Sequence, residues 1–239
     1  MDLFEYMSMQ RKKEESPLAV RMRPKNLDEV VGQQHIIGKD KLLYRAIKAD
    51  KISSLIFYGP PGTGKTTLAK VIANTTSADF VQMNATTSGK KDMEQAVSQA
   101  KDAFGMYGKK TILFIDEIHR FNKAQQDYLL PFVEDGTVIL IGATTENPYF
   151  EVNSALLSRS QIFHLEPLSQ KDICKLVKTA VEDNERGMGA YGAKVTEEAA
   201  QFIAQMAGGD ARRALNAVEL GILTTEPDEN GRILIDLAA

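Results

Sequence analysis

The sequence predicts an α/β fold: a five-stranded parallel sheet covered by helices on both faces, followed by a small all-α domain. Three observations carry this. Between Leu55 and Leu165, short apolar runs alternate with helical patterns. The runs are apolar at consecutive residues, as in strands buried on both faces. After Pro167 the strands stop and only helical periodicity continues.

Taken in order, residues 1–16 are polar and mixed in charge, and a flexible leader is expected there. Pro17 to Gly38 scatters Leu18, Val20, Met22, Leu27, Val30, Val31, Ile36 and Ile37 through a segment that Pro24 interrupts, which reads as a strap laid on a core. Lys39 to Asp50 has a helical face of Leu42, Leu43, Ala46 and Ile47. Strands are expected at Leu55–Tyr58, Phe80–Met83, Ile112–Ile115, Val138–Ile141 and Ile162–Leu165, with helices at Lys65–Asn74, Asp92–Phe104, Asn122–Val133 and Asn153–Leu157. The first domain therefore runs over 17–167. Ser169–Glu182, Thr196–Met206 and Asp210–Leu223 then read as capped helices around a glycine-rich loop at Gly187–Gly192. They make a helical domain over 168–225, expected to be a lid able to rotate. Ile233 to Leu237 resumes an apolar pattern, so 226–239 is expected to open a C-terminal region that continues past this chain.

Bulk composition narrows the classes. The chain has 239 residues, 43% hydrophobic and 26% charged, with net charge −3, so it lacks the global basic field of an indiscriminate polyanion binder. The basic clusters Arg11-Lys12-Lys13, Arg21 with Arg23 and Lys25, Lys90-Lys91 and Lys109-Lys110 read as solvated surface. No run is long enough for a membrane span, and the acidic start is unlike a secretory signal. The single cysteine, Cys174, excludes an internal disulfide and a Cys-x-x-Cys zinc cluster, and reads as a small buried hydrophobe. A cytoplasmic location is expected.

The chemistry begins at the first strand's end. Gly59-Pro60-Pro61-Gly62-Thr63-Gly64-Lys65-Thr66, with Thr67 next, has the phosphate-loop spacing G-x-x-x-x-G-K-[ST] between a strand and a helix. Glycines let backbone N–H groups turn inward as an anion nest, and the helix opening at Lys65 adds the positive end of its dipole. Lys65 would reach the β- and γ-phosphates, and the Thr66 hydroxyl would join a Mg²⁺ shell. A P-loop nucleoside triphosphatase fold is thereby expected, in which the strap either walls an adenine pocket or simply packs on the core. Ile112-Leu113-Phe114-Ile115-Asp116-Glu117 ends a buried strand in two acids. Asp116 is assigned to Mg²⁺ and Glu117 to polarising a water for in-line attack on the γ-phosphorus. Beyond the fourth strand, Thr145 is the first choice to meet the γ-phosphate or the water, and Asn147 the second. Asn84 is a candidate to position Glu117. Arg159 and Arg212 are candidates for extra positive charge, with Arg213 about 100° around the helix from Arg212. His119 reads as structural or as a link to a neighbouring subunit, and His35 and His164 as packing or surface residues.

These strings resemble the AAA+ ATPase family. Gly59–Thr66 is similar to its Walker A, Asp116-Glu117 to its Walker B, Thr145 to sensor 1, Arg159 to the trans-acting arginine finger and Arg212 to sensor 2. Within that family, Leu18-Ala19-Val20-Arg21-Met22-Arg23-Pro24, Asp116-Glu117-Ile118-His119-Arg120-Phe121-Asn122-Lys123, Gly142-Ala143-Thr144-Thr145-Glu146-Asn147-Pro148 and Ser154-Ala155-Leu156-Leu157-Ser158-Arg159 resemble the clamp-loader-related replication-associated recombination protein A group. The resemblance implies a DNA-dependent, Mg²⁺-requiring ATPase in replication-fork maintenance, recombination and repair, associated with the nucleoid. It also implies partners: single-stranded, gapped or forked DNA, single-strand-binding protein and replisome components, and further copies in a homo-oligomeric ring. The group's oligomerisation region would lie beyond Ala239, which leaves a monomer as the alternative for this chain by itself. Two other readings are a protein-remodelling ATPase and a nucleotide-dependent binding switch on replisome proteins. The basic, non-aromatic Ala85–Lys91 segment tilts against the former.

Overall fold

The computed structural model describes residues 16–229 and 231–237, so the expected leader lies outside them except for Ser16. The chain divides into two compact units. One is Pro24–Glu166; the other joins the chain up to Arg23 with the chain from Pro167 onward.

In the α/β unit, helix α1 (Leu42–Lys48) leads to strand β1 (Ser54–Tyr58), α2 (Lys65–Thr75), β2 (Asp79–Asn84), α3 (Lys90–Tyr107), β3 (Thr111–Asp116), α4 (Lys123–Glu134), β4 (Val138–Thr144) and β5 (Ser160–His164). Single helical turns at Pro148–Glu151 and Ser154–Leu157 fill the last crossover. The five strands are all parallel, in the order β2-β3-β4-β1-β5. Successive strand residues point to opposite faces. Leu55, Phe57, Ile112, Phe114 and Ile141 therefore pack with Leu68 and Ile72 of α2 and Leu43 and Ile47 of α1. Ile56, Leu113, Ile115 and Leu140 pack with Met93 and Val97 of α3 and Leu129 of α4. Covering both faces explains why the strands carry no polar alternation: each such side chain contributes about 1.5–3 kcal/mol by leaving water. All seven residues of β4 are buried.

The helices begin where their sequences say. Asn122 Oδ1 accepts the Gln125 N–H at 2.9 Å and the Gln125 side-chain Oε1 accepts the Asn122 N–H at 3.0 Å, closing a capping box on α4. Ahead of α3, Asp92 accepts the Gly89 N–H at 2.7 Å, which starts that helix two residues earlier than its apolar pattern does.

The second unit holds α5 (Gln170–Glu182), β6 (Lys194–Val195), α6 (Glu197–Ala207), α7 (Ala211–Thr224) and β7 (Leu234–Ile235). Ser169, Thr196 and Asp210 cap the three helices by accepting N–H groups of Asp172, Ala199 and Arg213. Ile173, Val177, Ala200, Ala204, Leu215 and Val218 form its core. Beside these helices, β6 and β7 pair in parallel over two residues each. Ile233 and Ile235, two apart on one face of an extended segment, are buried in this same core. The strap also divides. Leu18 and Met22 pack into the helical unit, whereas Leu27, Ile36 and Ile37 pack into the α/β unit. Arg21 secures the first part, donating to the Arg186 carbonyl at 3.0 Å and to Glu219 at 3.5 Å. Cys174 is half-buried against the helical core. Among the described residues no helix is long and apolar enough to cross a membrane.

Candidate active site

In the order β2-β3-β4-β1-β5, the carboxyl ends of β1 and β3 flank that of β4, and the predicted phosphate loop and acids meet there. Gly59 leaves β1 with φ 142°, and its N–H donates to the Thr144 carbonyl of β4 at 3.3 Å. A Cβ at Gly59 would lie 2.1 Å from the Leu165 carbonyl oxygen, so only glycine fits between the loop and the chain leaving β5. Gly62 and Gly64 also have positive φ, 72° and 100°. Thr63 is buried, and its hydroxyl donates to the Pro60 carbonyl at 2.9 Å, which fixes the turn from inside. Lys65 opens α2 and is buried, with Nζ donating to the carbonyls of Gly59 at 2.6 Å and Pro60 at 2.8 Å. An ammonium already inside the loop needs only a rotation of its stem to meet an incoming phosphate.

The acids arrive as the sequence indicates. Asp116 ends β3, and the Thr66 hydroxyl donates to its Oδ2 at 3.3 Å. One hydroxyl and one carboxylate is the sparse donor set Mg²⁺ takes when phosphate oxygens and waters complete its octahedron. Among the described residues no three His, Cys, Asp or Glu cluster into a self-sufficient metal site. The residues present thus fit a Mg²⁺ that comes with its nucleotide. Glu117 has φ 54°, unusual for a side chain with a Cβ, and turns away from the strand line of Asp116.

Other predicted residues fall less simply. Asn84 does not meet Glu117: its Oδ1 accepts the Thr86 N–H at 2.9 Å and the Thr86 hydroxyl at 2.6 Å, closing a turn after β2. The side chain beside Glu117 is His119, with Nδ1 3.4 Å from Oε2. Asn147 caps the Pro148–Glu151 turn by accepting the Tyr149 N–H, while Thr145 is exposed just past β4. Thr67 is half-buried on the first turn of α2. Arg159 stands at the opposite edge of the sheet, immediately before Ser160, which pairs with Ser54 at the start of β1. There it donates to Glu134 at 2.5 Å and to the Ala155 carbonyl at 2.7 Å. Arg212 is exposed on α7, whereas Arg213 lines an apolar groove with Phe202, Ile203 and Met206 in its own unit. His35 donates from Nε2 to the His164 carbonyl at 2.9 Å, and the His164 ring stacks on Tyr58.

Gln33 went unnoticed in the sequence. Buried at φ 56°, it donates to the Glu166 carbonyl at 2.7 Å and the Thr63 carbonyl at 3.3 Å, and accepts the Glu166 N–H at 3.1 Å. It therefore ties the strap to the phosphate loop. Gln33 is one of several polar residues in the strap, and periodicity does not single it out.

Residues 55–168 match the ATPase family associated with various cellular activities (AAA), and residues 189–239 match the AAA C-terminal domain. Replication-associated recombination protein A of Escherichia coli K12 is 50% identical over 216 residues, covering 90% of this chain and 48% of that protein. ATPase WRNIP1 of Dictyostelium discoideum is 40% identical over 226 residues, 95% of this chain and 26% of that one. The chain spans about half the length of the bacterial relatives it matches. Among solved structures, the Thermotoga maritima RuvB Holliday junction branch migration motor has 30% identity and a TM-score of 0.65, covering 83% of this chain and 64% of that one. A phosphate loop at β1, acids at β3 and a matched helical C-terminal unit place the chain in the AAA ATPase family.

Proposed function

We propose that this chain is the ATP-hydrolysing part of a DNA-dependent AAA ATPase that maintains replication forks and serves recombination and repair. The observation that carries the reading is the convergence of Lys65, Thr66, Asp116 and Glu117 where β1 and β3 flank β4. The backbone N–H groups of Gly59–Thr67 and the α2 N-terminus would cradle the β- and γ-phosphates, with Lys65 turning from the loop carbonyls onto them. Mg²⁺, held by Thr66 and Asp116, would supply positive charge against the phosphate oxygens. Glu117 would take a proton from a water whose oxygen bonds to the γ-phosphorus as the bond to the β–γ bridging oxygen breaks, leaving ADP and phosphate. Thr145 would orient that water or the γ-phosphate, and Arg212 would sense the nucleotide.

Arg159 is assigned to another subunit's nucleotide. It immediately precedes β5, whose first residue, Ser160, pairs with the start of β1 about 13 Å along the strand axis from the end that feeds the phosphate loop. A homo-oligomer follows, with single-stranded, gapped or forked DNA, single-strand-binding protein and replisome components as proposed partners near the nucleoid. The replication and recombination role rests on the relatives' names.

The test is ATP turnover by the full-length protein with single-stranded, duplex, gapped and forked DNA, beside Lys65→Ala and Arg159→Ala. Loss in both variants, with activity restored when the two are mixed, supports the reading. Turnover indifferent to every DNA, or untouched by Lys65→Ala, overturns it.

A further inference from the structure

We propose that His119 is a positioning residue: through Nδ1 it ties the Glu117 carboxylate to Thr144, so that the end of β4 sets the aim of the proposed base. This rests on the hydrolytic reading of Glu117 above, and it assigns a role to a side chain that reading does not use.

Nδ1 of His119 lies 2.8 Å from the Thr144 hydroxyl oxygen and 3.4 Å from Oε2 of Glu117. Its side chain is only 8% exposed, against 31% for Glu117, and Thr144 is fully buried. The carboxylate can only accept, and the Thr144 oxygen already accepts the Glu146 N–H at 3.0 Å. A bare Nδ1 would take the Thr144 hydroxyl proton and could not bind the carboxylate, whereas a proton on Nδ1 serves both oxygens; the proposal therefore requires the Nδ1–H form. The ring is fixed from below. Ile118, fully buried, packs onto Gly142 of β4, where a Cβ would come within 3.0 Å of its Cδ1. Gly142 thus admits Ile118, Ile118 seats the 3-10 turn Ile118–Arg120, and that turn presents His119 to Thr144. Thr144 also lends its carbonyl to the Gly59 N–H, so one residue touches both the phosphate loop and the mount of Glu117. A base held this way keeps its carboxylate within hydrogen-bond reach of one water position; a carboxylate adrift by about 1 Å costs on the order of 10²-fold in rate.

A buried histidine that merely fills space predicts something different, and two substitutions separate the cases. His119→Leu keeps the volume without the N–H, whereas His119→Asn keeps a donor close to the Nδ1 position. In the full-length protein, kcat should fall about 10²-fold in His119→Leu and stay within about fivefold in His119→Asn, with nucleotide affinity unchanged in both. Turnover in His119→Leu above half of wild type, equal losses in the two variants, or affinity falling in step with kcat would overturn the proposal. Histidine ¹⁵N spectra decide the contact separately from turnover: His119 should carry a proton on Nδ1, with a resonance that shifts in Glu117→Ala. A bare Nδ1, or no shift, overturns it even if ATP is hydrolysed. An inactive wild type with the expected spectra would instead sink the hydrolytic reading and leave the contact standing.

Discussion

Gly59→Ala places a methyl group 2.1 Å from the Leu165 carbonyl oxygen, where ordinary contact begins at 3.4 Å, so something must move by more than about 1 Å. Leu165 is badly placed to yield. It is fully buried, its N–H donates to the Tyr58 carbonyl at 2.8 Å, and the next N–H is held by Gln33. The loop therefore moves, and with it the Gly59–Thr144 hydrogen bond and the carbonyl that receives Lys65. A φ of 142° adds backbone strain of about 1–3 kcal/mol. The sum is a destabilisation of about 2–4 kcal/mol, in the range of overpacked interiors. A displacement of this size in a phosphate cradle should weaken binding of a fluorescent ATP analogue by about 10²-fold. Gly64→Ala is the control for stability: φ is 100° but nothing lies within 4 Å of its Cβ, so only backbone strain remains. Titration with the analogue and thermal melting are the assays. Affinity within threefold of wild type in Gly59→Ala, or a larger loss of melting temperature in Gly64→Ala, would refute the reasoning.

Gly105→Ala, inside α3 with open space around its Cβ, should stabilise by about 0.5–1 kcal/mol and raise the melting temperature by a few degrees, with ATP affinity unchanged. The Arg159–Glu134 pair is 38% and 49% exposed, so its worth is about 0.2–1 kcal/mol. Glu134→Gln should consequently change ATP turnover by no more than about fivefold, while Arg159→Ala lowers it by about 10³-fold or more; kinetics on the assembled protein checks both. Glu117→Gly relieves the backbone at φ 54° that Glu117→Gln keeps strained. Chemical denaturation should find it no less stable than Glu117→Gln, although both are expected to lose turnover on the proposed role of Glu117. Asp183 is held below the usual carboxylate range, first by the Arg186 N–H and also by the Glu185 N–H, against the opposing cost of burial. A lowered folded pKa stabilises above the unfolded pKa near 3.9 and is lost as pH falls through the folded value. Asp183→Asn should accordingly be less stable than wild type at pH 7, and urea titrations should show the gap closing toward pH 3.

Much of the α/β unit was legible because its strands are apolar on consecutive residues and its helices carry caps a few residues away. Lys65, Thr66, Asp116 and Glu117 were legible for a related reason: loop spacing and strand-end acids are local patterns. What escaped was set by distance along the chain. Strands β6 and β7 have two residues each and lie far apart in sequence, so neither has a period to read. Leu18 and Leu27 look alike in the strap, and only tertiary packing sends them to different cores. Strand order aims Asn84 at Glu117, but an Asx turn to Thr86, formed locally, takes its oxygen. His119 and Thr144 are 25 residues apart, and only the adjacency of β3 and β4 brings them together.

Because β5 starts where β1 starts, the arginine and the phosphate cradle lie at opposite rims of one sheet. If Arg159 serves a neighbour, as proposed, each protomer owns a receptacle it does not finish and an implement it does not use on itself. Work is then jointly held at each seam, and a copy lacking both Lys65 and Arg159 silences two seams: its own, and the one it should have completed. Doping wild-type assemblies with such doubly deficient copies should extinguish output faster than their share of the population.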